Sequence, residues 1–117
     1  MTYISGFVAA VPEENKEKFI AHSKICTSIF KEYGAEKVVD CWEDDVPEGD
    51  VTSFPMAVQR KDGEKIVFSW ITWPSKEICE QGMQKVMEDP RMTNEENPMP
   101  FDGKRLIYGG FQVINEE

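Results

Sequence analysis

The sequence predicts an α+β domain: a ferredoxin-like antiparallel sheet with two helices on one face. Three observations predict it. Two segments with the 3.6-residue apolar spacing of amphipathic helices each follow an apolar strand. A further strand returns after the second helix and ends the regular part of the chain. Short Gly- and Pro-containing turns, not crossovers, join the strands in between. The resulting order is β-α-β-β-β-α-β, a split β-α-β pattern with one extra strand between its halves. At 117 residues the chain is expected to form one domain over 1–117.

Each element has its own signal. Residues 2–11 (TYISGFVAAV) read as a strand, with Tyr3, Phe7, Ala9 and Val11 on one side and Ile4, Val8 and Ala10 on the other. Pro12 sets a helix start, and Glu13 and Glu14 complement the dipole of its first turn. The helix is predicted to run to about Tyr33, with Phe19, His22, Ser23, Cys26, Ile29, Phe30 and Tyr33 on one stripe and Gly34 as its stop. Residues 36–44 form the second strand, and DDVPEGD over 44–50 an acidic loop. Residues 53–60 (SFPMAVQR) read as a third strand, with Pro55 demanding an edge or a bulge. Asp62-Gly63 is a hairpin turn, and 65–73 (KIVFSWITW) is the clearest strand. Ser75 caps a second helix over 75–88, which packs through Ile78, Cys79, Gly82, Met83 and Val86 and stops at Asp89-Pro90. A long loop over 91–103 leads to the last strand, 104–114.

Three strands are apolar on both sides, whereas an antiparallel sheet with one wet face alternates apolar and polar. Two helices joined by short crossovers cover only one face. The other would expose more apolar surface than the few hundred Å² a monomer usually leaves in one patch. The expectation is a homodimer formed through that face. The alternative is that the 91–103 loop covers it.

Composition narrows the function classes. Hydrophobic residues are 40% and charged residues 30%, the balance of a folded globular chain. With 13 basic and 22 acidic residues the net charge is −9, so nucleic acid and anionic membranes are not expected partners. No apolar run approaches the roughly 20 residues of a bilayer span, and the first residues lack a basic segment ahead of an apolar core. Cys26, Cys41 and Cys79 are odd in number and lack C-x-x-C spacing, so free thiols and a cytoplasmic location are expected. No cofactor and no metal are expected: three scattered cysteines and one histidine do not make a zinc signature.

The strings VPEG over 46–49, VFSWI over 67–71 followed by Trp73-Pro74-Ser75, Asp89-Pro90-Arg91-Met92, and above all MPFDGKRLIYGGF over 99–111 resemble the YbaA-like family of uncharacterised bacterial proteins. The resemblance runs from Gly6-Phe7-Val8 to Gly109-Gly110-Phe111. It implies a dimeric α+β barrel, two ferredoxin-like subunits packed sheet to sheet, and it implies no reaction. Ser5 departs from the pattern, where Asp more often precedes Gly-Phe.

Candidate site residues follow from residue chemistry. His22, the only histidine, is expected as a hydrogen-bonded core residue, with a ligand-contacting role as the alternative. Any Ser-His-Asp or Cys-His nucleophile system would have to use it, and no local nucleophile-elbow motif supports one. Trp42, Trp70 and Trp73 are pocket or core candidates, and Trp70 and Trp73 point to opposite faces. Arg91, Lys104 and Arg105 cluster around the 91–103 loop. Pairing with Asp89 and Asp102 is the favoured reading and an anionic ligand the other. Glu43, Asp44, Asp45, Glu48 and Asp50 lack EF-hand spacing and read as a solvated loop. Gly109-Gly110 marks a bulge or a close approach. Two function classes remain: a homodimeric small-molecule-binding or interaction domain, and a cofactor-independent enzyme resembling monooxygenases or isomerases, working in a cleft between helices and sheet.

Overall fold

The structure, a computed structural model, describes residues 2–117. Its regular elements are β1 (Tyr3–Pro12), α1 (Lys16–Glu32), β2 (Lys37–Trp42), α2 (Phe54–Ala57), β3 (Glu64–Trp73), α3 (Lys76–Glu88) and β4 (Ile107–Gln112). They make a mixed α+β fold with one four-stranded antiparallel sheet in the order β2-β3-β1-β4. The central pair is the longest: β1 pairs with β3 over its whole length, from Tyr3 opposite Trp73 to Pro12 opposite Glu64. The longest apolar segments thus lie where both neighbours complete their backbone hydrogen bonds. Since β3 lies between β1 and β2, and β1 between β3 and β4, the two β-α-β units interleave.

The two long helices cover one face. On that face α1 seats Phe19 against Ala9, Val11 and Val67. At the other end α3 seats Cys79 against Ile71 and Trp73. Gly34, at φ +112°, ends α1, and Ala35 N–H reaches back to the Phe30 carbonyl.

Residues 53–60 are not a strand. Ser53 accepts from the Met56 N–H at 3.1 Å and Pro55 occupies the first turn of α2. A serine cap followed by proline, which has no N–H to offer a ladder, favours a helical turn over an extended segment. The observed order therefore has four strands, not five. Residues 43–63 instead fold over the far face, burying Val58 on Val8, Ala10 and Ile66. Arg60 ties the segment together, bonding Glu43 at 3.0 Å and also Glu48. The 91–103 loop lies on the helix face, so it does not cover the far one. Most of the predicted start of the last strand is a 3-10 turn, Gly103–Arg105, pinned by Asp102.

The pair Gly109-Gly110 forms no bulge: Gly6 faces Gly109 and Ser5 faces Gly110 in unbroken register. What approaches is Tyr3, whose hydroxyl would lie 2.3 Å from a Cβ on Gly110.

Candidate functional site

Between α1 and the sheet lies a cleft of about 160 Å³. Its floor is Ala9, Val67 and Ser69, small or branched residues that leave room beneath the helix. Phe7 and Phe30 close one side, and Phe101, Met92 and Met99, from the 91–103 loop, lie over the other. The sequence keeps this loop in place: Asn15 donates to the Pro100 carbonyl at 2.8 Å, and Phe101 packs against Phe19 and the His22 ring.

Two polar groupings face the cleft from opposite sides. From the sheet, Asp40 accepts from Ser69 Oγ at 2.5 Å and from Ser23 Oγ of α1. From α1, His22 and Cys26 sit one turn apart with Nε2 3.5 Å from Sγ. The other ring nitrogen, Nδ1, lies 2.9 Å from Oδ1 of Asn97, a buried residue of the loop. The Asn97 amide returns to Cys26, Nδ2 to Sγ, at 3.4 Å. One assignment satisfies all three: Nδ1–H donates to Asn97 Oδ1, the thiol donates to Nε2, and the amide donates to Sγ. Burial pushes the His22 imidazole below its ordinary value, against the raising effects of Asn97 and the Asp40 charge. Burial also pushes the Cys26 thiol up, and Asp40 adds to this while the Asn97 bond opposes it. The resting pair is neutral thiol and neutral imidazole.

The other predicted site residues fall elsewhere. Trp42 closes the end of the same core, with Lys16 Nζ 5.5 Å above its ring. Trp73 is fully buried, whereas Trp70 lies on the far face beside Phe68, ring centroids 5.8 Å apart. Arg91 bonds Asp89 at 2.7 Å and Glu32 at 2.5 Å. Asp89 also accepts from Tyr33 Oη at 2.7 Å, and these donors hold its carboxyl far below the usual range. Arg105 bridges Glu64 at 2.7 Å and Asp102 at 3.0 Å, and Lys104 is exposed. Among the described residues, no three His, Cys, Asp or Glu side chains are placed to hold a metal ion. No described helix is long and apolar enough to cross a membrane.

A family model described as "Protein of unknown function (DUF1428)" matches residues 2–103. This chain belongs to that family. Two relatives, each named "Uncharacterized protein YbaA", from Escherichia coli strain K12 and from Shigella flexneri, are 50% identical over 117 residues and covered end to end, as is this chain. A solved structure, "De novo designed protein Foldit4", is 13% identical with a TM-score of 0.48 and covers 97% of this chain and all of its own.

For this DUF1428 chain, the sequence singles out His22 as its one histidine but not the residues it bonds. Cys26 was visible on the same helical stripe, four residues on. Asn97 sits in a polar loop with no local signal, and Asp40 reads as an ordinary strand residue. Only the fold brings residues 71 to 75 positions apart into one ring of hydrogen bonds.

Proposed function

We propose that the chain is a single ferredoxin-like domain that pairs with a second copy through the far face of its sheet, as a dimeric α+β barrel. We further propose that it binds a small, largely apolar, uncharged molecule in the helix–sheet cleft. The observation that carries the binding reading is the cleft itself: apolar walls with a few converging polar groups, the usual make-up of small-molecule sites. Asp40 is its one charged lining residue, so an anionic ligand would be repelled. Pairing through the far face is supported by what stands uncovered there: Phe68, Ile107 and Phe111 are exposed beside Trp70. Residues 43–63 cover only one end of that face. Three unbridged cysteines agree with a cytoplasmic location.

A thermal-shift series with small uncharged aromatic and aliphatic compounds tests the binding reading. A ligand at a hundred times its Kd raises stability by about 2.7 kcal/mol. No shift from any of them, at millimolar concentration, would sink that reading. Sedimentation tests the pairing: a dimer burying over about 1,000 Å² should persist at micromolar concentration, and a monomer there would sink it.

The enzyme reading is favoured by one observation, the hydrogen-bonded Cys26, His22 and Asn97 at the cleft wall.

A further inference from the structure

We infer that Cys26, His22 and Asn97 form a nucleophilic site that accepts an acyl group from small uncharged esters or thioesters held in the cleft. The inference rests on the binding reading above, since the same cleft holds the substrate.

The geometry meets the requirements of an activated nucleophile one by one. A nucleophile needs a base in hydrogen-bond reach, and His22 Nε2 lies 3.5 Å from the sulfur, within the longer reach of a sulfur donor. The base needs a third group that fixes its tautomer, and Asn97 Oδ1 at 2.9 Å accepts the Nδ1 proton, leaving the Nε2 lone pair toward the thiol. The same Cys-His-Asn roles recur on unrelated folds, so they are recognised by geometry and not by chain order. The nucleophile must open onto the space where a substrate sits, and Cys26 and His22 both line the cleft. The ring must keep its orientation, and Phe19 and Phe101 flank it at centroid distances of 6.4 Å.

The alternatives for this cluster are weaker. A metal site fails for want of a third ligand among the described residues. A resting thiolate, as in redox-sensing cysteines, fails because burial and the Asp40 charge both favour the neutral thiol. A neutral thiol beside a neutral imidazole suits a nucleophile that loses its proton only as it attacks.

The step balances within these residues. Sγ attacks the acyl carbon as its proton passes to His22 Nε2. The Cys26–acyl thioester forms, the bond to the leaving oxygen or sulfur breaks, and His22 returns the proton to that leaving atom. Nothing is oxidised or reduced. Asn97 Nδ2, 3.4 Å from Sγ, is placed to donate to the carbonyl oxygen as it gains charge. Uncharged acyl groups are specified by the walls: Phe7, Phe30, Ile71 and Leu106 offer no counter-charge, and Asp40 disfavours a carboxylate or phosphate.

The test reacts the full chain with p-nitrophenyl acetate and follows p-nitrophenolate release, with the acetylated residue located by peptide mass. N-acetylcysteine serves as the unassisted thiol. Without a base, a thiol held protonated should react more slowly than N-acetylcysteine. With His22 as base, Cys26 should react at least about tenfold faster, and His22→Gln should slow it about a hundredfold. Acetylation of Cys26 no faster than N-acetylcysteine would overturn the inference, as would a rate unchanged in folded His22→Gln. The wild-type comparison decides even where the variant does not fold. The unreactive ether p-nitrophenyl ethyl ether separates the two readings. A thermal shift with the ether, but no acetylation of Cys26 by the ester, leaves the binding reading standing and ends this one. Fast acetylation of Cys26 that never saturates with ester concentration keeps the nucleophile and ends cleft binding.

Discussion

The helix-covered face of the sheet has two ends, and they are built to opposite rules. At the α3 end the space is full. Trp73 is wholly buried, and Gly82 lets the helix lie against it: a Cβ there would come 2.5 Å from the indole and 2.6 Å from the Tyr33 carbonyl oxygen. The polar groups at that end are consumed by structure. Ser5 accepts from Trp73 Nε1 at 3.0 Å, and Asp89 takes Tyr33 and Arg91 together. At the α1 end the floor is small, the walls are aromatic, and the polar groups border an opening. The same fold thus packs one end tightly and leaves polar groups around an opening at the other, as close packing at one place allows under-packing at another.

The largest effect expected from breaking this contrast is at the full end. Trp73→Ala should cost about 3–5 kcal/mol, because the cavity it leaves is sealed by Gly82, Ile71 and Cys79 and cannot collapse. Chemical denaturation would measure it, and a loss under about 1 kcal/mol would mean that this end is not the anchor. A smaller effect is expected in the cleft. Ala9→Val adds methyl groups on the cleft floor beside Phe19 and Val67, where the adjoining opening takes up most of the overpacking penalty of about 1–3 kcal/mol met in filled cores. Its stability should change by under about 1 kcal/mol while ligand-induced thermal shifts disappear. A large destabilisation with no change in binding would equate the two ends.

The smallest effect is at the Asp89 latch. Its folded carboxyl titrates below the ordinary aspartate value of about 3.9, so the latch adds stability that is fully present above pH 4 and lost as pH falls toward the folded value. Arg91→Ala should lower the melting temperature at neutral pH and flatten its decline in acid, with Tyr33 still bonded to the carboxylate. Arg91 is half exposed, so solvent screens the pair and the shift should be small. An unchanged melting temperature would free Arg91 for a ligand.

The elements that could be read from the sequence are those with dense local signals. Alternating Ile66, Phe68 and Trp70 against Val67, Ile71 and Trp73 marks a strand apolar on both faces. Ser75 caps α3 where expected, its Oγ accepting from the Ile78 N–H. Segment 53–60 reads wrongly as a strand when its apolar residues are weighed above the Ser53 cap and the first-turn Pro55, which favour a helical turn. The turn then docks Val58 on Ile66, a contact outside any local window. Tyr108 shows the same limit: its exposure on β4 follows from an edge position that no single strand announces.

The sequence by itself determined the periodicities: which residues of each strand share a face, which stripe of each helix is buried, and that the far face of the sheet is apolar. These are local, since side-chain direction repeats every 2.0 or 3.6 residues along one element. Only the tertiary structure decided what meets what. His22 and Cys26 share a stripe by helical geometry, but Asn97 reaches them because the 91–103 loop folds back over α1. Asp40 faces Ser23 because interleaved crossovers set α1 above β2. Such meetings depend on how elements pack across the whole chain, and no spacing along the sequence encodes them.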